Sequence, residues 1–135
     1  HEIQSQINKI KNNKDCHYFY NLGSKKYYSL LKISKLLIGN SSSGILEAPT
    51  LRTPTINIGD RQKGRLKAKS IIDVPAKSGD VIKAIKKIYS KKFNKMLSVS
   101  NNPYGSGNAS IKTLNILKKI NFEKLNKKNF FDLRK

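Results

Sequence analysis

Acidic side chains are scarce in this sequence. Eight Asp and Glu stand against 28 Lys and Arg in 135 residues, a formal net charge of +20. Tryptophan is absent and cysteine occurs once, at Cys16. A single cysteine excludes a disulfide framework within the chain. Cys16 is read as a small buried hydrophobe, and the simplest compartment is the cytoplasm. No apolar run is long enough to span a bilayer, and no signal-peptide layout is present. The first residue is His1, not Met, and a helical pattern is already under way at Glu2. This reads as a piece of a longer chain.

Arginine is also scarce. Only Arg52, Arg61, Arg65 and Arg134 occur among the basic residues; the rest are lysines scattered along the chain among Asn and Ile. Nucleic-acid readers need a patterned basic stripe, metal-finger spacing, basic-region heptads or aromatic RNA-binding motifs. None is present. The lysines fit solvated helix faces better than a nucleic-acid or membrane surface.

What is there centres on Leu36-Leu37-Ile38-Gly39-Asn40-Ser41-Ser42-Ser43-Gly44-Ile45-Leu46-Glu47. Leu36–Ile38 reads as a buried strand of a parallel sheet. Gly39–Gly44 is a run of small residues, and Ile45 to Glu47 opens a helix limited by Pro49. Such a strand, turn and helix start can hold an anion, because free amides and serine hydroxyls face the turn. Two readings of it stand side by side: a diphosphate cradle, or an ordinary N-cap with Glu47 closing a capping box.

The remainder alternates. Ile3, Ile7 and Ile10 mark one helix face. Cys16–Tyr20, which includes His17, reads as a short aromatic strand. Asn21–Ser24 turns the chain, with Ser24 as N-cap of a helix over 25–35. Thr55–Ile58, after Pro54, and Ser70–Val74 are further strands. Val81, Ile82, Ile85 and Ile88 give an amphipathic helix over 79–91, which Phe93, Met96 and Leu97 extend or follow. Asn101–Gly107 is a turn cluster. Ala109, Ile111, Leu114, Leu117 and Ile120 mark a last helix. Strand and helix in alternation predict an α/β fold with a Rossmann-like parallel sheet and flanking helices. Residues 1–120 are read as the domain. The aromatic tail 121–135 is expected to pack on a neighbouring domain or to be mobile.

Ligands of open α/β sheets bind beyond the carboxyl ends of the strands. Asn21–Ser24, Gly39–Gly44 and Gly59–Arg65 are predicted to lie there. Arg61 and Arg65 suit phosphate oxygens, although a solvated loop in a basic chain would look the same.

Three ordered motifs carry a resemblance. Gly39-Asn40-Ser41-Ser42-Ser43-Gly44-Ile45 with Glu47 is the first. Pro54-Thr55-Ile56-Asn57-Ile58-Gly59-Asp60-Arg61-Gln62-Lys63-Gly64-Arg65 is the second, and Asn102-Pro103-Tyr104-Gly105 the third. Over about residues 16–120 the chain resembles the C-terminal half of UDP-N-acetylglucosamine 2-epimerases, closest to the hydrolysing branch. The non-hydrolysing branch typically has Thr-Glu-Arg-Pro-Glu where this chain has Asp60–Arg65. The family's usual Asp after Tyr-Gly is Ser106 here, so only a turn role is carried over to that position.

The resemblance implies a GT-B enzyme of two Rossmann-like domains with substrate between them. This chain would be the UDP-binding half. Ser41, Ser42, Ser43 and Gly44 would hold the diphosphate, and Glu47 the ribose. Arg61, and less directly Arg65, would approach the phosphates. Leu22 and Tyr27 would lie near uracil, with Tyr27 equally readable as core. The reaction would eliminate UDP and add water, releasing N-acetylmannosamine or a related sugar for sialic-acid biosynthesis. The acid/base carboxylates would come from the N-terminal domain, so no catalytic residue is assigned here. No cofactor or metal is implied, and neither nucleic acid nor membrane is a partner. The partners would be the UDP-sugar and the N-terminal domain, with homo-oligomerisation left open. The donor-binding half of a GT-B glycosyltransferase is the alternative reading, and a basic nucleic-acid-binding module a remote one.

Overall fold

A computed structural model describes residues 2–125. They fall into two compact units, divided between Tyr104 and Gly105. The first unit contains α1 (Glu2–Ile10), α2 (Gly23–Ile33), β1 (Leu37–Gly39), α3 (Ser43–Leu46), β2 (Thr55–Ile58), β3 (Ile71–Val74), α4 (Ser78–Ile88) and α5 (Lys91–Ser98). The second contains α6 (Ala109–Leu117) and a 3-10 helix, Phe122–Leu125. The tail aromatics Phe130 and Phe131 lie outside the described residues.

The strands form one parallel sheet in the order β1-β2-β3. Leu37 pairs with Thr55 and Gly39 with Asn57; Thr55 pairs with Ile71 and Ile58 with Val74. This is the predicted α/β, Rossmann-like arrangement. Parallel strands are covered on both faces, and β2 shows how; β1, at the edge of the described sheet, is not the buried strand read from the sequence, with Ile38 44 % exposed. Ile56 is fully buried and packs with Val74, Ala84, Ile88 and Phe93, with Ile58, Val81, Ile85 and Met96 around them. That is the α4–α5 side. In a strand, neighbouring side chains point to opposite faces, so Thr55 and Asn57 look the other way. There α3 lies so close that a Cβ built on Gly44 would stand 2.6 Å from Thr55 Cγ2.

α4 and α5 are separate helices. The Ser90 hydroxyl accepts from the Phe93 amide at 3.2 Å and starts α5, as an N-cap does. Phe93, Met96 and Leu97 therefore follow α4. The 2–11 pattern, the 109–120 pattern and the strand at Thr55–Ile58 all appear where the sequence places them.

Three expectations are corrected. Cys16–Tyr20 is not a strand; among the described residues the sheet has three strands and begins at Leu37. Tyr18, Phe19 and Tyr20 are 52, 55 and 96 % exposed. Aromatic strand propensity is realised only against a paired, half-buried surface, and none is offered here. For the same reason Cys16 is half-buried, not buried, and His17 is exposed outside any strand. Ser24 is not the N-cap of α2. The helix begins two residues earlier, at Gly23, and the Asn21 side-chain oxygen accepts from the Gly23 amide at 2.7 Å. This Asx turn works with Gly23 at φ +64, a backbone that glycine adopts without strain.

Candidate functional site

The run Asn40–Glu47 is a tight turn feeding a single helical turn. The Ser41 hydroxyl accepts from the Ser43 amide at 3.3 Å, and the Ser41 carbonyl accepts from the Gly44 amide at 3.2 Å. Ser42, at the N-cap position, makes no side-chain cap. Glu47 does not reach back to a backbone amide. Its carboxylate instead accepts from two side-chain hydroxyls, Ser43 at 2.6 Å and Tyr28 at 3.2 Å. The capping-box reading of Glu47 is therefore not what the structure contains.

Tyr27 and Tyr28 come from the first half of α2. Their rings lie 5.7 Å apart and are tilted by 57°. The Tyr27 hydroxyl is 2.6 Å from Ser43 Oγ. The negative charge of Glu47, and then its hydrogen bond, raise the Tyr28 phenol above its ordinary value, with smaller help from desolvation and Tyr27. The phenol thus stays protonated and donating throughout the neutral range.

These groups border an open pocket of about 520 Å³ lined by Phe19–Ser24, Tyr27, Tyr28 and Glu47. Leu22, Tyr27 and Glu47, assigned separately from sequence, share it, and Ser43 joins through its two hydrogen bonds. Its outer wall is the 19–24 segment. That segment leads into α2 and follows no strand, so its predicted position beyond a strand end is corrected; it reaches the site through α2.

Arg61 and Arg65 are exposed on the loop after β2, which turns at Gly59 and Gly64, with φ +76 and +81. Neither lines the pocket. The loop is fastened to the serine turn by a residue that sequence reading passed over. Gln62 is 3 % exposed, and its Nε2 donates to the Asn40 carbonyl at 2.8 Å. Its Oε1 is buried without a partner. One bond holds the loop and one buried acceptor counts against it, so Gln62→Met is expected to change the melting temperature little. Losing a bond of net ~0.5–1.5 kcal/mol still frees the loop several-fold. Limited trypsin cleavage after Arg61, Lys63 and Arg65 should speed up by that factor; an unchanged rate would mean that the bond does not hold the loop.

Among the described residues, no three His, Cys, Asp or Glu gather as a metal set, and no helix is long and apolar enough to cross a membrane. Asp73 is engaged by Lys67, at 2.8 Å, and by Asn57, at 2.7 Å.

The sequence profile of the UDP-N-acetylglucosamine 2-epimerase family matches residues 1–118. The chain belongs to that family. It is 50 % identical over 126 residues to a GDP/UDP-N,N'-diacetylbacillosamine 2-epimerase (hydrolyzing) of Campylobacter jejuni, covering 91 % of this chain and 32 % of that protein. It is 41 % identical over 117 residues to the polysialic acid biosynthesis protein P7 of Escherichia coli, covering 86 % and 30 %. A hydrolysing UDP-N,N'-diacetylbacillosamine 2-epimerase of Legionella pneumophila is 29 % identical over 120 residues, covering 89 % and 31 %. The Campylobacter and Legionella relatives, both named as hydrolysing, agree with the hydrolysing branch inside the 2-epimerase family. The chain spans about a third of the length of each.

Proposed function

We propose that this chain is the UDP-binding, C-terminal half of a hydrolysing UDP-N-acetylhexosamine 2-epimerase of GT-B architecture. The observation that carries this reading is the pocket of Leu22, Tyr27 and Glu47 beside the serine turn, in a chain of this family. Uracil would sit against Leu22 and the Tyr27 ring, an apolar face with a polar edge. Glu47 would accept from the ribose hydroxyls. The turn Ser41-Ser42-Ser43-Gly44 would receive the diphosphate, with Ser41 and Ser42 as hydroxyl donors and Arg61 approaching from its tethered loop. Arg65 would add positive charge at the loop's far end.

The reaction of the whole enzyme would eliminate UDP from the sugar, form a glycal, and add water to release the 2-epimeric sugar. Elimination develops negative charge on the departing diphosphate. Fixed donors aimed at that charge lower the barrier. This chain would supply those donors. Removing the C2 proton needs an acid/base within hydrogen-bond reach. Glu47 is the one carboxylate among the residues described as lining the pocket, and it is engaged by two hydroxyls. The acid/base would come from an N-terminal domain across the cleft.

Two measurements test the reading. The intact protein, given UDP-N-acetylglucosamine or its diacetylated analogue, is expected to release UDP and a free 2-epimeric sugar. Transfer of the sugar to an acceptor would favour a GT-B glycosyltransferase instead. Ser42→Ala is expected to weaken UDP about ten- to a hundredfold while leaving uridine nearly unchanged, the loss of one hydrogen bond to a charged group. Equal losses for both ligands would remove the serine turn from the diphosphate.

A further inference from the structure

The hydroxyl protons around Glu47 can be counted. A carboxylate accepts and does not donate, and each serine or tyrosine hydroxyl carries one proton. Ser43 Oγ lies 2.6 Å from Glu47 Oε2, so its proton points there. Tyr27 Oη lies 2.6 Å from the same Ser43 oxygen. With the Ser43 proton engaged, Tyr27 must be the donor. Tyr28 donates to Oε1. The result is a directed chain, Tyr27 to Ser43 to Glu47, with Tyr28 closing the other oxygen.

This ordering separates three serines that look equivalent in sequence. A phosphate oxygen needs a donor. Ser43 has no proton left to give while it holds Glu47. The hydroxyl protons of Ser41 and Ser42 have no acceptor among the described residues; Ser41 Oγ only receives, from the Ser43 amide. The carboxylate of Glu47 offers about four lone-pair directions, and the two protein hydroxyls fill two. Two remain, which matches the vicinal hydroxyl pair of a ribose.

We propose that Ser43 and Tyr27 are positioning residues: a hydroxyl relay that orients Glu47 for the ribose diol, Ser43 giving no hydrogen bond to the diphosphate. The proposal rests on the nucleotide reading above and refines it. Tyr27 then serves twice, its ring facing the base and its hydroxyl setting the carboxylate that reads the sugar. A fixed acceptor pair binds better than a mobile one, because less rotamer freedom is lost when the ligand arrives.

The test uses the intact protein and four ligands: UDP, 2'-deoxy-UDP, uridine and 2'-deoxyuridine. Dissociation constants are measured by calorimetric titration for the parent and for Tyr27→Phe, Ser43→Ala and Ser42→Ala. The parent is expected to favour UDP over 2'-deoxy-UDP. Tyr27→Phe removes one oxygen and keeps the ring, so the base contact survives. It is expected to narrow the ribose preference about three- to tenfold, and Ser43→Ala to do the same. Neither change is expected to alter the ratio of UDP to uridine affinity, which Ser42→Ala does alter. A relay also predicts that the Tyr27→Phe, Ser43→Ala double variant is no worse than Ser43→Ala alone. An unchanged ribose preference in Tyr27→Phe overturns the relay, as does a fall in the UDP-to-uridine ratio for Ser43→Ala equal to that for Ser42→Ala. A folded parent that binds no UDP overturns the nucleotide reading itself, and this proposal with it.

Discussion

Glu47→Gln is expected to lower UDP affinity about ten- to a hundredfold while the protein keeps its fold. The side chain keeps its length, so packing is unchanged. What disappears is the charge and half of the accepting capacity. Hydrogen bonds to a charged group contribute about 1.5–3 kcal/mol each, and 1.4 kcal/mol is tenfold in affinity. Some native order is lost as well, because an amide nitrogen placed at Oε2 would face the Ser43 hydroxyl donor-to-donor. A flipped amide would meet Tyr28 the same way. Calorimetric titration and a melting curve on the same sample separate the two effects. A melting temperature down by many degrees with unchanged UDP affinity would make Glu47 a structural residue only.

Gly44→Ala carries the largest expected loss of stability. The new Cβ would stand 2.6 Å from Thr55 Cγ2 and 3.4 Å from a Leu37 methyl. Thr55 is 2 % exposed on the middle strand, and its β-branched side chain is stiff at χ1. α3 must therefore lift off the sheet. Overpacking of this kind costs about 1–3 kcal/mol, which lowers the melting temperature by roughly 5–20 °C for a unit of about this size. Gly44→Val is expected to be worse. Gly79→Ala is the matched control. Gly79 lies in α4 with nothing within 4 Å of its Cβ position, and alanine is favoured there by up to about 1 kcal/mol. If both alanine variants melted like the parent, α3 would not be as close to the sheet as the structure has it.

The difference between these two glycines is not visible in the sequence. Gly44 sits in a small-residue run that could have been a loose loop, and only the pairing of β1 with β2 brings Thr55 under it. Elements with local punctuation were legible. β2 is bracketed by Pro54 and Gly59, and α4 carries a clear apolar period. The failures share one cause. Cys16–Tyr20 has the composition of a strand but no neighbour to pair with, and pairing is decided by the rest of the chain. The site divides in the same way. Glu47 could be named because its motif resembles that of a family, and Leu22 and Tyr27 because the resemblance implies a uracil site there. The relay through Ser43 joins positions 16 and 4 residues apart, and Tyr28 lies 19 from Glu47. The Ser43–Glu47 contact has the i,i+4 spacing of a helical turn, but no spacing rule reports the two contacts from α2. Gln62 was overlooked because two arginines beside it offered the more obvious chemistry, and a buried amide in a loop leaves no periodic trace.

One contact has a consequence for the order in which this structure opens. Asn102 donates through Nδ2 to the Leu46 carbonyl and to the Thr50 hydroxyl, both at 2.8 Å, across 56 and 52 positions. Its Oδ1 accepts from the Tyr104 amide at 3.0 Å. Closing so long a loop on a few hydrogen bonds is entropically expensive, and Thr50 and Tyr104 are exposed. The clasp is therefore expected to open early. It releases well below the free energy of global unfolding, while the β1-β2-β3 ladder stays intact. The amides of the 47–53 turns are bonded to carbonyls of residues 43–49, and with the clasp open they are expected to exchange with solvent before those of the strands. The Glu47 carboxylate is held by two hydroxyls, and Asn102 holds the residues on either side of it, Leu46 and Thr50.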